Sequence, residues 1–129
     1  MAKINFQTIP DEIEYLDQCY GENNIRFAVT HNVTSKWTMN GKDYEIVIPA
    51  GFVTNFASVP VFFRNIISPL GGHNPVTLVH DYIYTVHNGI SRSDADTMLR
   101  CACIERGIPK IKAWMIWLAV RACGLSHWT

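Results

Sequence analysis

The chain has no excess of charge of either sign: Lys and Arg total 11, Asp and Glu total 11, and the formal net charge is +0. Such a balance gives no overall electrostatic footprint for nucleic acid and no polybasic attraction to anionic lipid. No apolar run precedes the first polar residues, Met1 to Gln7, so no secretory signal is expected and synthesis is placed in the cytosol. The unbroken apolar run Ala113 to Val120 is far shorter than the roughly 20 residues a membrane-crossing helix needs. No C-x-x-C pair occurs among Cys19, Cys101, Cys103 and Cys123, and two cysteines two apart on a helix point in different directions. Reduced, mostly buried thiols are therefore expected. Internal repeats and low-complexity segments are absent.

What is present is enough apolar material for one core: 129 residues, 48% of them hydrophobic, read as a single domain spanning 1–129. Residues 1–24 read as an arm or a short helix, with Asp11 to Tyr20 as the helical stretch after Ile9-Pro10. Period-two alternation then takes over, through Phe27, Val29, Trp37, Met39, Tyr44, Ile46 and Ile48, with Asn40-Gly41 as a hairpin turn. Residues 25–60 are accordingly assigned to an antiparallel hairpin or meander of two to three strands and a following apolar loop. In that loop Thr54, Asn55 and Ser58 supply the polar groups, and Ser58 is placed to cap a short helix reaching Ile67. Residues 61–124 read as helical. The fold class is α+β: an N-terminal antiparallel hairpin or small sheet followed by a bundle of three to four helices.

The densest chemistry lies between Pro75 and Cys103. Val76, Val79, His80, Ile83 and His87 recur at the spacing of one helix face, which sets His80 in an apolar stripe. Asn88-Gly89 breaks that helix, and Ser91-Arg92-Ser93-Asp94 has the form of a capping box opening the next. An antiparallel hairpin of the two brings Asp94 or Asp96 alongside His80. Capping explains Asp94, so Asp96 is the better partner. This second helix should end at Gly107, and a last one should run from Pro109 to Cys123 with Gly124 as its stop. Apolar on all sides, the last helix is expected to be central to the core, with an interface to another protein or a membrane surface as the alternative.

Four motifs taken together carry a resemblance: Gly51 to Pro60, Ser68 to Gly72, His80 to Tyr84, and Ser91 to Asp96. In this order they resemble an uncharacterised family of small tailed-phage and prophage proteins, over about Ile46 to Gly124. Where this chain has Asn55 the family often has aspartate, which lowers the claim of that position to be a charged ligand. The resemblance implies a phage or prophage origin, a host-cytoplasmic site of synthesis and a place in the virion as one destination. A more distant resemblance is to small phospholipase A2 enzymes, which carry H-D-x-x-Y on one helix and A-D on the antiparallel helix after it. His80, Asp81, Tyr84 and Ala95-Asp96 match residue by residue. That likeness implies His80 as general base, Asp96 as the carboxylate fixing its tautomer, Tyr84 as anchor of that carboxylate and Asp81 as a calcium ligand, with carbonyls of a glycine loop completing the site. The glycine loop here, Gly71-Gly72-His73, is shorter and closer to the histidine than in those enzymes. A rival set of His73, His80, Asp81 and Asp96 offers zinc or manganese mixed nitrogen and oxygen ligands.

Two functions follow as expectations. One is a small metal-assisted hydrolase, with calcium as first and zinc as second cofactor, acting on an ester in a lipid or another host envelope component. The other is a non-catalytic virion, assembly or host-factor-binding protein in which the His80 pair is a structural network. Expected partners are other phage structural proteins or a host envelope component, with no nucleic acid and no transmembrane span.

Overall fold

The computed structural model describes residues 4–8, 15–19, 25–54 and 75–128. Asn55, Ser58, Gly71, Gly72 and His73, with the short helix expected after Ser58, lie outside the described residues.

Among the described residues six strands form two antiparallel sheets of three. The first orders β1 (Ile4–Thr8), β4 (Val33–Met39) and β5 (Lys42–Ile48); the second orders β2 (Tyr15–Cys19), β3 (Ile25–Val29) and β6 (Val53–Thr54). The β4–β5 hairpin is the one the alternation calls for. Its ladder runs without slip from Met39 opposite Lys42 to Val33 opposite Ile48, and its turn is Asn40 at φ 55° and Gly41 at φ 75°. Both left-handed positions match the right-handed twist of the strands, which is why Asn-Gly closes two-residue hairpins. Val33, Ser35, Trp37 and Met39 on β4, with Tyr44, Ile46 and Ile48 on β5, turn one face inward. Directly opposed Trp37 and Tyr44 stack at 5.3 Å between ring centroids, and such a pair adds about 0.5–1.5 kcal/mol to simple burial.

The N-terminal stretch departs from expectation. Tyr15–Cys19, assigned to a short helix or an arm, is strand β2, paired with β3 from Tyr15 opposite Val29 to Cys19 opposite Ile25. A ladder of this length overrides weak helical propensity, because sheet preference is set by the partner strand and not by the segment alone. β1 likewise adds to the edge of the hairpin at Ile4 opposite Met39. Part of the presumed apolar loop is also regular: Val53–Thr54 is β6, and Val29 and Phe52 extend the pairing through a backbone bond of 3.0 Å.

Among the described residues three helices follow: α1 (Pro75–Val86), α2 (Arg92–Glu105) and α3 (Lys110–Cys123), the last leading into a 3-10 turn over Gly124–His127. Pro75 sits in the first turn of α1, where its missing N–H costs nothing. Ser91 Oγ caps α2 by accepting from the Asp94 amide at 3.1 Å. α1 is the central helix. From Val76 to Tyr84 every residue is buried, and the inner faces of the hairpin and of α2 join it in one cluster of buried side chains. Phe52, just ahead of β6, meets Tyr82 of α1 edge-on at 5.1 Å.

α3 is not the core helix its composition suggests. It buries only the stripe Ala113, Ile116 and Val120, while Ile111, Trp114, Met115 and Leu118 face outward. The apolar run is thus divided between one buried and one exposed side. No helix among the described residues is long and apolar enough to cross a membrane.

Candidate functional site

Two helix-ending signals bring the site together. α1 stops at Val86, and His87 at φ 66°, Asn88 at φ 52° and Gly89 at φ 76° reverse the chain into the Ser91 cap. His80 and Asp96 then face each other across the α1–α2 pair, both 0% exposed.

His80 Nε2 lies 2.8 Å from Asp96 Oδ1. An ionised carboxylate only accepts, so Nε2 carries a proton and donates it to Asp96. Tyr84, one turn after His80 on α1, donates its hydroxyl to the same Oδ1 at 2.6 Å. Its ring lies beside that of His80, with centroids 4.4 Å apart. Arg121 of α3 donates from Nη1 to Oδ2 at 3.0 Å. The carboxylate thus receives bonds on both oxygens, from two other helices.

Arg92 adds a second tier. Its Nε donates to the Tyr84 hydroxyl at 3.2 Å, and its Nη2 to the carbonyls of Val120 and Arg121 at 2.7 and 2.8 Å. Both carbonyls belong to the last turn of α3, where helical partners run out; Val120 O accepts from the Gly124 amide as well as from Arg92. Trp128 closes the end of the site, edge-on to Tyr84 at 5.2 Å and stacked on His87 at 3.8 Å.

The electrostatics follow from these contacts. Burial acts to raise the Asp96 pKa, but the hydrogen bonds from His80 and Tyr84, the charge of the imidazole and the bond from Arg121 outweigh it and hold the carboxyl below its ordinary value. Tyr84 is pushed well above the ordinary phenol, first by burial and then by its bond to Asp96, with Arg92 pulling weakly the other way. It acts as a donor and not as a base. Cys103 of α2, pushed up to about 12 by burial, is an inert thiol near neutrality.

A pH dependence follows. In the unfolded chain Asp96 titrates near 3.9; folded, it titrates lower. Between those values the unfolded state binds the extra proton, so the stability Asp96 contributes is present above about pH 5 and is lost as pH falls through the folded value. Acidification from pH 6 to 3 should lower the urea midpoint of the wild type more steeply than that of Asp96→Asn. Equal slopes would show that Asp96 is not the group responsible.

Of the residues marked out in the sequence, His80, Tyr84 and Asp96 come together here. Asp81, the next residue on α1, is buried at 6% exposed. Asp94 belongs instead to the start of α2 and accepts from the Tyr44 hydroxyl at 3.3 Å. Among the described residues, no group of three or more His, Cys, Asp or Glu side chains is placed to hold a metal ion. Arg92, read only within the capping box, and Arg121 were not anticipated at the site. The signal for Arg121 was there to be read: it adjoins Val120 at the buried edge of an otherwise apolar helix, where a cation needs a carboxylate.

The fold and the site define an α+β domain with a buried histidine–carboxylate pair spanning two antiparallel helices and fixed by a third. The chain belongs to the family described as "Protein of unknown function (DUF1353)", whose model matches residues 30–120, well over half its length. No curated protein and no solved structure matches it.

Proposed function

We propose that the protein is a small hydrolase of phage or prophage origin, acting on an ester or related bond in a lipid or other host envelope component, with His80 as its general base. The observation that carries this reading is the bond from His80 Nε2 to Asp96 Oδ1 at 2.8 Å, with Tyr84 on the same oxygen. Asp96 fixes the tautomer that puts the base at Nδ1. It also stabilises the imidazolium formed when Nδ1 takes a proton from water attacking the ester carbonyl; the ester C–O bond then breaks and the imidazolium returns that proton to the departing alkoxide, leaving acid and alcohol. Tyr84 and Arg121 keep Asp96 ionised and in place, so the carboxylate need not reorganise as charge develops. A divalent ion, calcium before zinc, would find one carboxylate at Asp81 and would polarise the carbonyl under attack. Among the described residues no group of three or more His, Cys, Asp or Glu surrounds it, and the proton transfer at His80 is independent of it.

A second reading rests on a different observation. His80 and Asp96 are wholly shielded, as in a network that only holds three helices together within a virion, assembly or host-binding protein.

The two readings separate in one assay. Release of acid from phospholipid vesicles and simple aryl esters is measured with calcium and with chelator, for wild type, His80→Ala and Asp96→Asn, each checked for folding by circular dichroism. A hydrolase loses about 10²–10⁴-fold on removal of its base. If the wild type releases no acid, or folded His80→Ala keeps its rate, the network is structural.

A further inference from the structure

The outer face of α3 is apolar along its whole length. Ile111, Trp114, Met115, Leu118 and Ala122 follow the three- and four-residue steps of one helix face, and Leu125 continues it into the 3-10 turn. Ile111 is 73% exposed, Leu118 58% and Leu125 67%. A run of large exposed apolar side chains on one face marks a docking surface, whereas scattered ones do not.

The charge around this face is one-sided. Counting about 100° per residue, Lys110 and Lys112 fall to either side of the stripe, and both are exposed. From Arg106 to Thr129 the sequence contains Arg106, Lys110, Lys112 and Arg121 and no acidic residue. The zero net charge of the whole chain conceals this local bias. Trp114 is held ready within the stripe: the Arg100 guanidinium lies 3.9 Å from its ring centroid, and Trp117 meets it edge-on at 5.4 Å.

We infer that α3 is an interfacial helix that lays this face on an anionic lipid surface. Apolar side chains and a tryptophan between flanking lysines are what the headgroup boundary accepts: the stripe enters the acyl region while the lysines reach back to the phosphates. The stripe lies on the convex ridge of a helix, which a bilayer takes up without a groove of matching shape. A second copy of the chain fits less well. A two-fold interface sets each patch against itself, so the exposed Lys110 and Lys112 of the two copies would meet with no carboxylate on either α3, Arg121 being already paired with Asp96. The inference stands independently of the hydrolase reading, because binding is measured without turnover.

The test is co-sedimentation of the full chain with vesicles of phosphatidylcholine alone and of phosphatidylcholine with phosphatidylglycerol, alongside sedimentation velocity without lipid. Wild type should bind the anionic vesicles, with a blue shift of tryptophan emission and with affinity falling as salt rises. Lys110→Glu/Lys112→Glu should weaken binding by about fivefold or more for each lysine, the factor that about 1 kcal/mol per basic residue near an anionic surface corresponds to. Leu118→Glu and Ile111→Glu change exposed positions, so they should fold normally and bind at least tenfold more weakly. Failure of wild type to bind anionic vesicles, or equal binding by folded Leu118→Glu, would overturn the inference. A dimer that Leu118→Glu dissociates would assign the face to a second copy and overturn it as well.

Discussion

Replacing Asp96 by alanine is expected to destabilise the protein by about 3–5 kcal/mol, the usual cost of removing one partner from a buried ion pair. The residue is fully buried, and its loss strands three donors at once: His80 Nε2, the Tyr84 hydroxyl and Arg121 Nη1. Of these, Arg121 is the least affected, since its side chain is one-third exposed and water can replace the carboxylate. The imidazole and the phenol have no such recourse, being 0% and 1% exposed. Urea unfolding of Asp96→Ala, His80→Ala and the double variant measures this directly. Adding His80→Ala to Asp96→Ala should cost less than it does in the wild type, because the partner has already gone. A loss below about 1 kcal/mol for Asp96→Ala would mean that the network is loose enough to be hydrated.

The second large effect belongs to a residue that takes no part in the chemistry. Gly124 lies under Tyr84: a Cβ there would sit 2.8 Å from the Tyr84 hydroxyl, 3.1 Å from its ring and 3.3 Å from Arg92 Nη2. The ring cannot swing aside, since His80 and Trp128 pack against it. Gly124→Ala should therefore cost about 1–3 kcal/mol by overpacking, seen as a fall of several degrees in Tm. In a Tyr84→Phe background the closest clash is gone, and the same change should cost clearly less. Equal cost in both backgrounds would mean that the strain lies elsewhere.

Gly124 also shows where a sequence signal gives the right boundary for the wrong reason. Glycine after an apolar helix reads as a left-handed stop, and α3 does end there. Yet its φ is −77°, an ordinary right-handed value, and what excludes a side chain is the tyrosine above it. A close approach between residues 40 apart in sequence leaves no local trace.

The His80–Asp96 pair was legible because its causes are local. Asn88-Gly89 and the Ser91 cap fix the ends of two helices, and His80 stands eight residues before Asn88 while Asp96 stands seven after Gly89, so a hairpin sets them level. The strands β1 and β2 were not legible, since five-residue segments acquire their conformation from partners such as Met39 and Val29 far along the chain. The extent to which α1 and not α3 is enclosed was not legible for a related reason. α1 carries Thr77, His80, Asp81 and two tyrosines yet is buried on every side from Val76 to Tyr84, His80 and Tyr84 finding their partner in Asp96 across the helix pair. Burial follows from how many neighbours surround a helix, which apolar content alone does not record. α3, richer in apolar residues, buries only the side that carries Ala113, Ile116 and Val120.

The Arg92 side chain has one more consequence. Helix ends are ordinarily where a fold opens first, and the final turn of α3 would be such a place. Its carbonyls, however, are held by a residue at the start of α2, whose Nε also holds the tyrosine of α1. Fraying that turn releases the Arg92 anchor and loosens Tyr84 and Arg121 on the buried carboxylate. The three helices therefore open together, and amide exchange in the last turn of α3 is slowed toward the rate set by unfolding of the helical layer as a whole.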